Sequence, residues 1–172
     1  PRTDLTYEPR AEVHRFPLAG LIASVALAIL LQAYLGKHLG SMTLLDLPLL
    51  VVIYFGLTRR NPSSTLLLGL LVGVFQDALS PNLIGQYGMA KSVIGFAAAS
   101  VSVRLDVERP PARLLLVFFF YFLHQFTYVG IERLLLGRSG AFFTLNLLEA
   151  ALVNALLGVL VFHLLDRFRQ PA

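Results

Sequence analysis

An all-α fold, a polytopic membrane protein of six short transmembrane helices, is what this sequence predicts, and three observations point to it. Of the 172 residues, 56% are hydrophobic and only 14% are charged, too apolar a balance for an ordinary soluble domain of this size. The charges gather in short clusters, such as Arg59 and Arg60, Arg104 to Arg113, and Arg167 with Arg169, and apolar blocks lie between them. Those blocks are continuously apolar without the strict alternation a membrane β-barrel requires.

The parse places spans at 17–35, 43–57, 64–79, 86–103, 112–131 and 142–165. The first is long for a signal-peptide core, lacks a convincing small-x-small cleavage site and is followed by further apolar blocks, so it reads as a true span. The second contains Asp46 and Pro48, and the third ends in Gln76 and Asp77. At 1.5 Å per residue these two fall short of a hydrocarbon core of about 30 Å, which argues for ends that rest in a protein-lined pocket or for local thinning. The first, fourth, fifth and sixth are long enough to cross. The turn between the third and fourth is rich in turn formers, Ser80, Pro81, Asn82 and Gly85. The organisation is thus a tail at 1–16, a six-helix domain at 17–165 and a tail at 166–172.

Lysine and arginine set the orientation. With a cytoplasmic N-terminus, the inner segments hold Arg2, Arg10, Arg15, Arg59, Arg60, Arg104, Arg109, Arg113, Arg167 and Arg169, against Lys37, Arg133 and Arg138 outside. That asymmetry predicts both termini on the cytoplasmic side.

Several function classes find no footing. The net charge of +4 follows topology, and no basic face with interleaved aromatics suggests nucleic-acid binding. There is no cysteine, and His14, His38, His124 and His163 are scattered, so neither a thiol site nor a metal site is expected. Ser80 and Ser92 have no local base or nucleophile elbow. The loops are too short for a soluble catalytic domain. No catalytic residue, metal or cofactor is therefore assigned.

Polar and small residues inside the spans remain as candidates for structure or partner contact. Asp77 is the only acidic residue between Leu47 and Val103, and Gly69, Gly73 and Asp77 repeat every four residues along one helix face. Lys91, Gly95 and Ala99 share a comparable face on the next helix, and a pair between Asp77 and Lys91 would offset part of the cost of each charge. His124 and Gln125 interrupt the aromatic run Phe118 to Phe126, where interhelical hydrogen bonding is the simplest role and the aromatics suit a lipid-facing or partner-facing surface. Asn146, Ala150, Asn154 and Gly158 form a small-polar seam in the sixth span, with Glu149 on an adjacent face near its middle.

The segment GLLVGVFQDALSPNLIG from Gly69 to Gly85, continued by QYGMAKSVIGFAAASVSVRL, resembles the MreD family of bacterial rod-shape-determining membrane proteins. The family's small-residue third span running into an Asp maps to Gly69, Gly73 and Asp77. Its turn maps to Ser80, Pro81 and Gly85, and its next-span residues to Gly88, Lys91 and Gly95. Arg59 and Arg60 before Asn61 and Pro62 look like its cytoplasmic turn between spans two and three. The resemblance extends across essentially the whole chain.

The resemblance implies a non-enzymatic scaffold of the cell-wall elongation machinery. Its implied partners are a bitopic MreC-like protein, the glycosyltransferase RodA and the elongation transpeptidase, with the MreB filament linked indirectly and lipids all around. It also implies a fold similar to the substrate-binding membrane subunits of energy-coupling-factor transporters. The competing expectation is accordingly a substrate-capture module for a small solute or a lipid-linked precursor, for which several intramembrane polar groups could line a pocket.

Overall fold

The computed structural model describes residues 17–38, 44–80, 83–105, 107, 109–137 and 141–168. Among them are six helices and no strand: α1 Leu18–His38, α2 Leu47–Arg59, α3 Pro62–Ala78, α4 Gln86–Ser102, α5 Pro110–Leu136 and α6 Leu145–Asp166. Three helices, α1, α5 and α6, are long and apolar enough to cross a membrane. The 17 residues of α4 extend only about 26 Å, so it joins α2 and α3 among the short helices. Pro81 and the terminal tails before residue 17 and after residue 168 lie outside the described residues.

Local chemistry explains the boundaries. Asp46 caps α2, its Oδ1 accepting from the Leu49 N–H at 3.0 Å, and Pro48 fits the first turn where no intrahelical donor is needed. Asn61 does the same for α3, accepting from the Ser64 N–H, with Pro62 beside it. The fifth helix runs five residues past the expected end at 131. Glu132 and Arg133 end its apolar run but are good helix formers, and the helix stops only where Gly137 adopts φ +62°.

The centre of the bundle is α2, buried without interruption from Pro48 to Leu57, with the other five helices packed around it. A helix apolar on every side belongs in the middle of a bundle. By contrast, α1, α5 and α6 show large apolar side chains to the exterior, including Leu27, Leu30, Leu115, Phe119, Phe126, Leu156 and Leu160. The aromatic run of α5 is therefore split: Phe119 and Phe126 point out, while Phe120 and Tyr121 are buried.

Helices α3 and α4 form the tightest pair. A Cβ placed on Gly69 would collide with the Lys91 backbone, and one on Gly73 with the backbone of Tyr87 and Gly88. Gly95 reciprocates against the backbone of Thr65, whose hydroxyl donates to the Gly95 carbonyl at 3.0 Å. The four-residue spacing of small residues thus marks a backbone-to-backbone contact, the arrangement that drives helix association where no hydrophobic effect operates. Gly73→Leu should therefore destabilise the detergent-solubilised protein, read as a lowered thermal midpoint, by about 1–3 kcal/mol or more of overpacking. Phe119→Leu, on the exterior, should leave it within a few tenths of that scale; equal tolerance at both positions would contradict the contact.

Candidate functional site

Two polar centres organise the bundle, and the first begins with a piece of chain that is not helical. Residues 44 to 46 precede α2 yet are half-buried or buried, so their peptide groups need partners from the protein. Three helices supply them, and a fourth answers the Asp46 side chain. From α1, the Gln32 amide donates to the Leu45 carbonyl at 2.7 Å and accepts from the Leu47 N–H at 3.0 Å. From α6, Asn154 accepts from the Asp46 N–H at 3.0 Å and donates to the carbonyls of Leu44 and Ala150. The Tyr121 hydroxyl of α5 donates to the Leu44 carbonyl at 3.4 Å.

The fourth contribution is ionic. Lys91 of α4 is fully buried, and its ammonium donates to Asp46 Oδ2 at 2.5 Å while lying 4.9 Å from the centroid of the Tyr87 ring. This corrects the expected pairing with Asp77: the partner of Lys91 is Asp46. The reason lies in tertiary packing, because α2 and α4 cross where Asp46 caps one helix and Lys91 projects from the other. Each charge is buried, and each would be costly alone.

Asp77 forms the second centre. Its Oδ2 accepts from the N–H groups of Gly85 and Gly88 at 2.8 and 3.3 Å, and its Oδ1 from that of Tyr87 at 3.1 Å. Gly85 stands at the N-cap of α4 with φ +101° and has no side chain to offer the exposed donors. A carboxylate from the end of the preceding helix does the capping instead, and its charge complements the positive end of the α4 dipole. Asp77 is therefore the clasp of the α3–α4 hairpin.

Beside the first centre is a cavity of about 120 Å³, walled by Gln32, Leu45, Asp46, Gln76, Tyr87, Tyr121, His124 and Gln125. His124 is only 3% exposed and stacks nearly parallel on Tyr87, with ring centroids 6.0 Å apart. Its Nε2 has no hydrogen-bond partner among the described residues. Gln76 Oε1 is likewise buried without one.

The remaining candidates separate by position. Asn154, Ala150 and Gly158 lie in the interior as a seam, and Gly158 faces Val117 and Leu50. Asn146, at the start of the same seam, is exposed. Glu149 is also exposed and belongs to the second turn of α6, not its middle, since the helix starts at Leu145. Sequence reasoning missed Gln32, Tyr87, Tyr121 and the pairing role of Asp46; the pattern of Asp two residues before Pro at a helix start was the available signal for its cap. It also read Arg113 only as a topology charge. That side chain pairs with Asp166 at 2.5 Å, and Tyr54 donates to the same carboxylate at 3.0 Å, tying α2, α5 and α6 at the end away from Asp46.

A double-mutant cycle measures the ionic centre. Lys91→Met should destabilise the purified protein by about 3–5 kcal/mol, because it leaves a buried carboxylate unpaired. Adding Asp46→Asn, which keeps a cap acceptor but removes the charge, should restore much of that loss. Simple additivity of the two losses would show that the pair is not coupled.

No curated protein and no solved structure matches this chain. A sequence-family model described as rod shape-determining protein MreD matches residues 14–168, and so spans all six helices and both polar centres. The chain belongs to the MreD family.

Proposed function

We propose that this protein is a non-enzymatic scaffold of the bacterial elongation complex, holding an MreC-like bitopic protein in place and thereby helping to direct peptidoglycan synthesis along the cell's side wall. The observation that carries this reading is the family match over residues 14–168, a family whose described role is in determining rod shape. The distribution of polar groups supports it. Asp46, Lys91, Asn154 and Asp77 are turned inward and bonded within the bundle, leaving mainly apolar outer faces as working surface.

In this reading all six helices span the inner membrane, α2 enclosed by its neighbours and α3 and α4 meeting lipid through side chains such as Leu67, Leu71, Phe75 and Phe96. Arg59, Arg60, Arg104, Arg109, Arg113 and Arg167 stand at helix ends on the cytoplasmic side, as do both termini, and Lys37 and Arg133 stand on the outer side. The partner's membrane helix docks on the outer face of α5 and α6, where Phe119 and Phe126 provide apolar contact and Asn146 and Glu149 provide a polar end. RodA and the elongation transpeptidase follow through that partner, and the MreB filament is reached indirectly. The bundle is proposed to share the architecture of energy-coupling-factor substrate-binding subunits without their role in transport. Its cavity of about 120 Å³ is well below the roughly 300 Å³ at which pockets for drug-sized ligands begin.

Affinity purification in mild detergent from cells carrying the tagged chain, read by mass spectrometry, tests the assignment. An MreC-like bitopic protein should be enriched, and Asp77→Ala should lower its recovery together with the stability of the bundle. Enrichment of transport ATPase subunits with no MreC-like protein would contradict the scaffold reading.

A further inference from the structure

The end of the bundle away from Asp46 gathers arginines that acidic groups do not answer. Ser102 of α4 donates to the Gly56 carbonyl of α2 at 3.4 Å, which ties these two helices near their C-termini. Arg59 lies three residues beyond Gly56 and Arg104 two beyond Ser102, each within one turn of that shared contact. Arg60 follows as the left-handed C-cap of α2. Arg167 succeeds Asp166, whose pairing with Arg113 and Tyr54 fixes the end of α6 at the same level. Arg59, Arg60, Arg104 and Arg167 are all exposed, and none has a carboxylate partner among the described residues. Asp106 and Glu108, in the link between α4 and α5, lie outside those residues. At the opposite end the exposed Lys37 and Arg133 are accompanied by Glu132 and Glu149, so the excess of positive charge belongs to one end only.

The side chains beside these arginines are apolar and also exposed: Val103 and Leu105 next to Arg104, and Phe168 next to Arg167. Guanidinium above hydrocarbon is a two-part surface, and a phospholipid matches both parts. Its phosphate oxygens fit the planar fork of arginine, and its acyl chains cover the apolar side chains. An inorganic anion would use only the first part. A headgroup that is zwitterionic brings its own cation to the rim, which cancels much of the attraction; an anionic one does not.

We propose that this arginine rim is a binding surface for anionic phospholipid headgroups, selecting lipids of the phosphatidylglycerol class over zwitterionic ones at one end of the bundle. The proposal requires the chain to sit in a bilayer and does not depend on the scaffold role.

Native mass spectrometry of the full chain in a neutral detergent, titrated with phosphatidylglycerol or with phosphatidylcholine of the same acyl chains, tests it. Wild-type protein should bind the first phosphatidylglycerol at least about fivefold more tightly than phosphatidylcholine, the gain expected from even one arginine at a headgroup. Replacing Arg59, Arg60, Arg104 and Arg167 together by Gln should bring the two lipids within about twofold of each other, whereas Lys37→Gln, at the other end, should leave the preference intact. Equal binding of the two lipids by wild type would overturn the proposal. So would a preference that survives in the fourfold variant, or one that Lys37→Gln abolishes, since either would place the anionic lipid elsewhere. Should the fourfold variant fail to fold, Arg59→Gln with Arg104→Gln decides the matter: a reduced preference supports the rim, and an unchanged one overturns it.

Discussion

The buried ion pair between Asp46 and Lys91 is the constraint on which the rest of the bundle depends, because it is the strongest bond to a stretch of chain that no helix can satisfy internally. Irregular backbone inside a membrane bundle survives only where protein groups or a water-filled cavity answer its peptide polarity. Gln32, Asn154 and Tyr121 do so from three different helices, and Lys91 of a fourth neutralises the Asp46 carboxylate. Asn154 is the tenth residue of α6, so the chain reaches about 14 Å below the start of that helix. Drawing the chain inward in this way is why α2 has only 13 residues and why it sits wholly among other helices.

Asp77 solves the complementary problem. Where α2 begins inside the bundle with its own cap, α4 begins with a glycine and borrows its cap from α3. The clasp fixes one end of the α3–α4 pair, and the contacts at Gly69, Gly73 and Gly95 hold the two backbones together along their length. At the opposite end, Asp166 gathers Arg113 and Tyr54. Fastening at both ends and across the middle suits a protein whose proposed work is to hold partners at fixed geometry. Specific packing also accounts for the spacing of small and polar residues more fully than any single reactive group does.

Much of this was legible in the chain. Apolar blocks bounded by charges placed six helices within a few residues, and the four-residue rhythm of Gly69, Gly73 and Asp77 marked the closest contact. Periodicity identifies faces, and faces are what small residues report. The choice of partner for Lys91 was not legible, since Asp46 and Asp77 are both carboxylates near helix ends and only the crossing of α2 over α4 distinguishes them. Gln32 and Tyr121 were hidden for a related reason: their partners are backbone groups, which leave no trace in residue type. The continuation of α5 through Glu132 and Arg133 escaped because charge ends a hydrophobic run without ending a helix.

Amide hydrogen exchange at Leu47 and Leu49, in the full chain in nanodiscs, tests most directly whether the segment before α2 is stitched into the bundle. First-turn amides of a helix ordinarily lack intrahelical partners and exchange early. Here the Leu47 N–H is bonded to Gln32 and the Leu49 N–H to Asp46, so both should be protected as well as the middle of α2 and should lose that protection together in Lys91→Met. Rapid exchange at both amides in the wild-type protein would contradict the account.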